Sequence, residues 1–204
     1  MFKLLKRTNT NFKIKFIKLV YRYLMFFPIL WYSITMKLTK VESKRVRKHE
    51  SFDDILEDIA EGANYKKDPL NGHLDYLTHP SRLAQNVAEG GPFGDCDDHA
   101  IYWCTSLLKS GLASKAWFCF YTMVKKNTQE MSSHAVCVFQ NKENGMYFWC
   151  DYGSPNYLDE DRNKFCYRSA EKYGAHPVAA VMIEVESIKE DDTPMFGEIV
   201  VIKL

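Results

Sequence analysis

Hydrophobic and polar positions along the chain follow two periods. Ala100, Trp103, Cys104, Leu107 and Leu108 recur at the i, i+3, i+4 spacing of a buried helical stripe, which starts after Gly90, Gly91, Pro92 and Gly94 and which Gly111 stops. A second stripe, Phe52, Ile55, Leu56, Ile59, Ala60 and Ala63, follows a capping-box pattern Ser51-x-x-Asp54, with Asp53, Glu57, Asp58 and Glu61 expected to face water. Pro80 suits the first turn of a short helix carrying Leu83, Ala84, Val87 and Ala88. Period-two alternation marks strands over 133–139 and 146–151, joined by a hairpin loop at 141–145. Residues 115–124 are apolar on both faces and predict a central strand, while 178–186 and 197–204 predict closing strands around the acidic turn 190–194. Turn signals at Asp68-Pro69 and Asn71-Gly72 make 65–78 a loop, and 159–173 reads as a helix or a lid. The sum is an α+β fold, a helix packed against an antiparallel sheet.

The first 48 residues differ from the rest. They hold 13 Lys or Arg against one acid, Glu42, for a net charge of +12, whereas residues 49–204 carry −11 within an overall +1. The chain therefore divides into a basic, apolar arm (1–48), which begins Met1-Phe2-Lys3-Leu4-Leu5-Lys6-Arg7, and a domain (49–204). The arm's uncharged run, Tyr23 to Met36, is shorter than the roughly 20 residues of a membrane span and is interrupted by Pro28. Basic flanks around Phe26, Phe27, Trp31 and Tyr32 favour an anchor on an anionic membrane surface, with a helix packed on the domain as the alternative. The arm is too apolar for a solvated phosphate-binding tail, so no specific nucleic acid is expected. The six cysteines form no C-x-x-C pair, which argues against a zinc ribbon; five lie in apolar patterns as buried thiols, and a cytoplasmic, membrane-associated location fits best, with secretion as the other reading.

Cys96 is the exception, because it opens the helix in Gly94-Asp95-Cys96-Asp97-Asp98-His99-Ala100. A helix N-terminus favours thiolate over thiol, which suits a nucleophile. His134 on the first hairpin strand and Asp151 at the end of the second can converge on one sheet face as base and orienter. His99 lies one turn along the helix from Cys96 and lacks a partnering acid, so His134 is the better base. Asp95, Asp97 and Asp98 oppose a thiolate unless they cap the helix, pair with cations or hold a metal; capping is the default, and calcium is the metal that suits such oxygen donors.

Cysteine on a helix, histidine on a strand and aspartate on the next resembles the transglutaminase-like branch of the papain-like cysteine enzymes. Residues 72–155, with Asp75-Tyr76-Leu77-Thr78-His79-Pro80 ahead of the Gly-Asp-Cys block, are most similar to bacterial transglutaminase-like cysteine proteinases; His99 stands where the family has an aromatic residue. The resemblance implies a papain-like fold and a Cys96-His134-Asp151 triad that cleaves amide bonds in a protein or peptide substrate. It implies no required cofactor, with calcium as an option. Gln85 is the upstream glutamine that such enzymes offer to an oxyanion, although its place on a helix favours a surface role. The rivals are a protein-glutamine transglutaminase, which shares the acyl-enzyme, and a catalytically idle binding module.

Overall fold

The computed structural model describes residues 10–23, 26–61, 76–158 and 161–204. The basic start at 1–7, the turns at 68–69 and 71–72, Asp75 and Asp159 lie outside the described residues. Among the described residues, six helices, α1 (Thr10–Tyr23), α2 (Phe26–Thr39), α3 (Phe52–Glu61), α4 (Pro80–Glu89), α5 (Cys96–Ser110) and α6 (Phe165–Lys172), accompany six strands. These are β1 (Ala113–Lys125), β2 (Met131–Asn141), β3 (Tyr147–Cys150), β4 (Asn156–Tyr157), β5 (Ala175–Ile188) and β6 (Pro194–Ile202). They form one antiparallel sheet in the order β4-β3-β2-β1-β5-β6, and α5 lies against it with Cys96 at its first position. The fold is α+β, as the periods predict.

Strand β1 sits between β2 and β5 and is buried on both sides, which explains its lack of a polar face. Ala116 and Phe118 point into a core shared with α2, α3, α4 and α5, while Trp117, Cys119 and Tyr121 point into a second core covered by α6. The helix α5 is buried nearly all round, with Ile101, Tyr102, Trp103, Cys104 and Leu107 without exposure, and Gly111 ends it in a left-handed C-cap. Ser51 and Asp54 cap α3 reciprocally: the Asp54 N–H donates to Ser51 Oγ at 3.2 Å and the Ser51 N–H to Asp54 Oδ2 at 3.0 Å. The segment 159–173 holds a short 3-10 turn, Arg162–Lys164, and then α6, shorter than the helix the sequence predicts.

The apolar run 23–36 packs on the domain from Ile29 onward. Tyr32, Met36 and Val46 belong to the same core as α5, and Tyr32 stacks on Phe120 of β1 at 5.5 Å. The Thr35 hydroxyl accepts from the Leu77 N–H and donates to the Leu77 carbonyl, both at 3.1 Å, and Thr39 Oγ1 accepts from the His79 N–H at 2.9 Å. The opposite face of α2 presents Leu30, Trp31, Ile34 and Leu38 to solvent. The helix is apolar on two sides, one used by the core. No helix among the described residues is long and apolar enough to cross a membrane.

One surface expectation fails. Asp58 is buried rather than solvated: its carboxylate accepts from His49 Nε2 (2.7 Å), Tyr102 Oη (2.9 Å) and Arg47 Nη2 (2.7 Å). Position 58 borders the apolar stripe of α3, three residues after Ile55 and one before Ile59, and these three donors turn it inward. Asp53 and Glu57 face solvent; the side chain of Glu61 lies outside the described residues.

Candidate active site

Cys96 begins α5, half-buried, with Asp95 at the N-cap in an extended conformation. Gly94 makes this turn feasible. Its φ is +131°, and a Cβ there would fall 2.0 Å from Asp98 Oδ2. The Asp98 carboxylate lies over Gly94 because it reaches upstream, accepting the Thr78 N–H at 2.7 Å and the Thr78 hydroxyl at 3.1 Å. Thr78 thus ties the Tyr76-Leu77-Thr78-His79-Pro80 stretch to the cysteine turn.

His134 lies in β2 on the face of Val136 and Val138, and its Nε2 is 2.7 Å from Asp151 Oδ1. The pairing of Cys137 with Cys150 places Asp151, one residue beyond β3, diagonally from His134 instead of directly across, a gap side chains of this length span. Asp151 Oδ1 also accepts the Tyr152 N–H at 3.0 Å, so the residue caps its turn as well. Its Oδ2 accepts from the Tyr173 hydroxyl at 2.6 Å and from Lys172 Nζ at 3.3 Å. Burial pushes the Asp151 carboxyl up, but the bond to His134, the His134 charge, the Tyr173 hydroxyl and Lys172 outweigh it and hold the group well below the usual carboxylate range. An imidazole that gives its Nε2 hydrogen to this carboxylate carries its lone pair on Nδ1.

Three tyrosines surround the His134 ring: Tyr121 (centroids 5.8 Å apart), Tyr152 (5.5 Å) and Tyr173 (5.2 Å). Cys96 shares this neighbourhood, because its negative form contributes to the raised phenol pKa values of both Tyr121 and Tyr173, to which burial contributes most. His134 and Asp151 are in direct contact, and Cys96 lies within electrostatic reach of two of the tyrosines around the imidazole.

Around the cysteine, the default capping role of the acids is not what forms. Asp95 makes no side-chain cap bond, and Asp97 Oδ1 accepts the adjacent Asp98 N–H at 3.0 Å. Carboxylate oxygens of Asp95, Asp97 and Asp98 lie within 4.8 Å of one another. Asp95 Oδ1 and Asp97 Oδ2 are buried without a hydrogen-bond partner. Burial, then the neighbouring acids, push the Asp97 carboxyl well up. Two orphaned carboxylate oxygens, from Asp95 and Asp97, with the Asp98 carboxylate close by, fit a hard divalent cation.

No protein-family model matches the chain, and no curated protein sequence matches it. Among solved structures it is similar to Legionella pneumophila LapG, at 21% identity and a TM-score of 0.37 over 65% of this chain and 66% of that one. The EGTA-treated form gives 21%, 0.36, 65% and 64% in the same order, and the calcium-bound form 20%, 0.37, 65% and 66%. The match therefore spans just under two thirds of those chains' length.

Two other candidates, Gln85 and His99, have partners of their own. The amide of Gln85 is engaged along α4, where Oε1 accepts from Arg82 Nη1 at 2.8 Å and Nε2 donates to Glu89 Oε1 at 2.7 Å. This surface ladder is the role that its place on a helix favours. His99 packs between Phe93 (4.6 Å) and Tyr152 (4.9 Å), and burial pushes its pKa down to about 4 against the opposing pull of Asp95 and Asp151. The ring is therefore neutral at pH 7 and wedged between two aromatic side chains. The residue that sequence reasoning missed is Tyr173, 22 positions from its partner Asp151 and marked by no local motif.

Proposed function

We propose that the protein is a cysteine-dependent acyl-transfer enzyme, a peptidase or amidase acting on a protein or peptide. The observation that carries this reading is the 2.7 Å bond from His134 Nε2 to Asp151, in a chain that also opens a helix with a cysteine. His134 Nδ1 takes the Cys96 proton, and the thiolate adds to the amide carbonyl carbon. The backbone N–H of Cys96, at the positive end of the helix dipole, supports the oxyanion. Collapse of the adduct breaks the C–N bond as the imidazolium protonates the departing amine. Water, deprotonated by the same imidazole, then cleaves the thioester and regenerates the thiol. Asp151 keeps the proton on Nε2 and stabilises the imidazolium. A lysine amine in place of water would make the same acyl-enzyme a transglutaminase.

Asp95, Asp97 and Asp98 would hold a calcium ion, which supplies positive charge beside Cys96 and fixes the turn before α5. The unpartnered Asp97 oxygen supports this assignment. Calcium raising the thermal midpoint of the wild type, and not of Asp97→Asn, is the expected result; equal midpoints with calcium and with chelator would remove it.

The test of the main reading is limiting iodoacetamide at neutral pH with mapping of the alkylated cysteine. Selective labelling of Cys96 that falls at least tenfold in His134→Ala is expected. Indiscriminate labelling, unchanged in the variant, would make the chain an idle binding module.

A further inference from the structure

We infer that Tyr173 is a positioning residue for the Asp151–His134 pair, a role that rests on the acyl-transfer reading above. Tyr173 is the C-cap residue of α6, on the side of the sheet opposite α5, so it reaches the site from an element that carries none of the three proposed catalytic residues. Its hydroxyl is 2.6 Å from Asp151 Oδ2 and 3.4 Å from His134 Nε2, and its ring stands edge-on to the imidazole at 74°.

The four contacts on the carboxylate divide cleanly. Oδ1 takes the imidazole and the Tyr152 N–H, while Oδ2 takes Tyr173 and Lys172. A carboxylate rotates about its terminal bond unless both oxygens are engaged. The Oδ1 contacts set distance, and those on Oδ2 stop the rotation. Of these two, Lys172 is the weaker hold, at 3.3 Å from a side chain 54% exposed. The Tyr173 hydroxyl therefore carries most of the orientation. Its role as donor is secure, because burial and then the adjacent Asp151 keep the phenol protonated. The backbone agrees: Tyr173 N–H bonds to the Ala170 carbonyl at 3.0 Å, and Gly174 follows at φ +63°, so the end of α6 aims the ring at the site.

Tyr173→Phe retains the ring and removes only the donor, and the test is made on the full chain with two readouts. The first is the rate of Cys96 alkylation by iodoacetamide at neutral pH, expected to fall about three- to thirtyfold, as for loss of one charge-assisted hydrogen bond acting through another group. The second is the low-field imidazole N–H proton in the NMR spectrum, assigned as the signal absent in His134→Ala. In Tyr173→Phe this signal should broaden through solvent exchange, because the carboxylate that shields it can rotate. A lowered melting temperature with a sharp, unmoved signal and an unchanged alkylation rate would make Tyr173 merely structural and overturn the inference. If His134→Ala leaves the alkylation rate unchanged, the acyl-transfer reading itself fails. If His134→Ala slows alkylation and Tyr173→Phe does not, only the role of Tyr173 is lost.

Discussion

Removing the carboxylate of Asp58 tests whether the N-terminal segment is fastened to the domain by the buried cluster it enters. Asp58→Ala leaves two buried donors without an acceptor, Tyr102 Oη and the His49 ring, neither exposed through its side chain. Each such orphan costs about 1–3 kcal/mol. Arg47 is 56% exposed along its side chain and adds under about 1 kcal/mol, since water takes over its partner. Relief from burying the carboxylate offsets part of this, so the expected loss is about 2–4 kcal/mol. Urea unfolding should show a lower midpoint at unchanged slope. The pH dependence supplies a second check. Burial pushes the Asp58 carboxyl up, but the bonds from His49 and Tyr102, with the charges of His49 and Arg47, outweigh it and hold the group below its ordinary value. A depressed carboxyl contributes stability that is complete above about pH 4 and is lost as pH falls through the folded value. The gap between wild type and Asp58→Ala should therefore narrow below about pH 4. In a Tyr102→Phe background the orphaned hydroxyl is gone, so Asp58→Ala should cost about 1–2 kcal/mol less there. A loss below about 0.5 kcal/mol at pH 7, within the range of ordinary surface substitutions, would refute the argument.

Gly94→Ala should lower stability by about 2–4 kcal/mol and slow Cys96 alkylation, because the new Cβ displaces the Asp98 carboxylate from Thr78; a melting temperature equal to wild type would show that the turn relaxes freely. The basic arm is proposed to meet an anionic membrane surface through the outward face of α2. Vesicles of mixed phosphatidylglycerol and phosphatidylcholine should bind the full chain, and Leu38→Glu, at a side chain 74% exposed, should reduce binding severalfold without changing the melting temperature; equal binding by the two proteins would remove Leu38 from any contact. Cys104, Cys119, Cys137, Cys150 and Cys166 should remain unlabelled until the protein unfolds, since all are buried free thiols; mass spectrometry of the alkylated native chain reads this directly, and early labelling of any of them would show a loosely packed core.

Much of this arrangement is legible from periodicity, and the limit of periodicity is itself physical. A period reports which face of an element meets the core, so α3, α5, β1 and the β2–β3 hairpin follow from where Ile, Val, Phe and Trp recur. The hairpin then brings His134 and Asp151 close at little cost in chain, since only 17 residues separate them. What periodicity misses are polar contacts between elements remote in sequence. Asp58 reads as a solvent-facing acid because its partners are Tyr102, 44 residues on, and two residues of an upstream segment with no period. Asp98 reads as a helix cap, yet it reaches back 20 residues to Thr78, and the clash that any Cβ at position 94 would make with it adds to the φ of +131° in requiring glycine there. The apolar run 23–36 is ambiguous for a different reason: a helix hydrophobic on two faces has the composition of a membrane segment whether one face or both are covered. Its place is decided by Thr35 and Thr39, whose hydroxyls bond the backbone of Leu77 and His79. The same segment then carries Thr78 to Asp98, so the sequence just before the Gly-Asp-Cys block is fastened to α2 on one side and to the cysteine turn on the other. That double attachment ties Tyr76-Leu77-Thr78-His79-Pro80 to the start of α5: without it, the Asp98 carboxylate over Gly94 would lose the two bonds that Thr78 gives it.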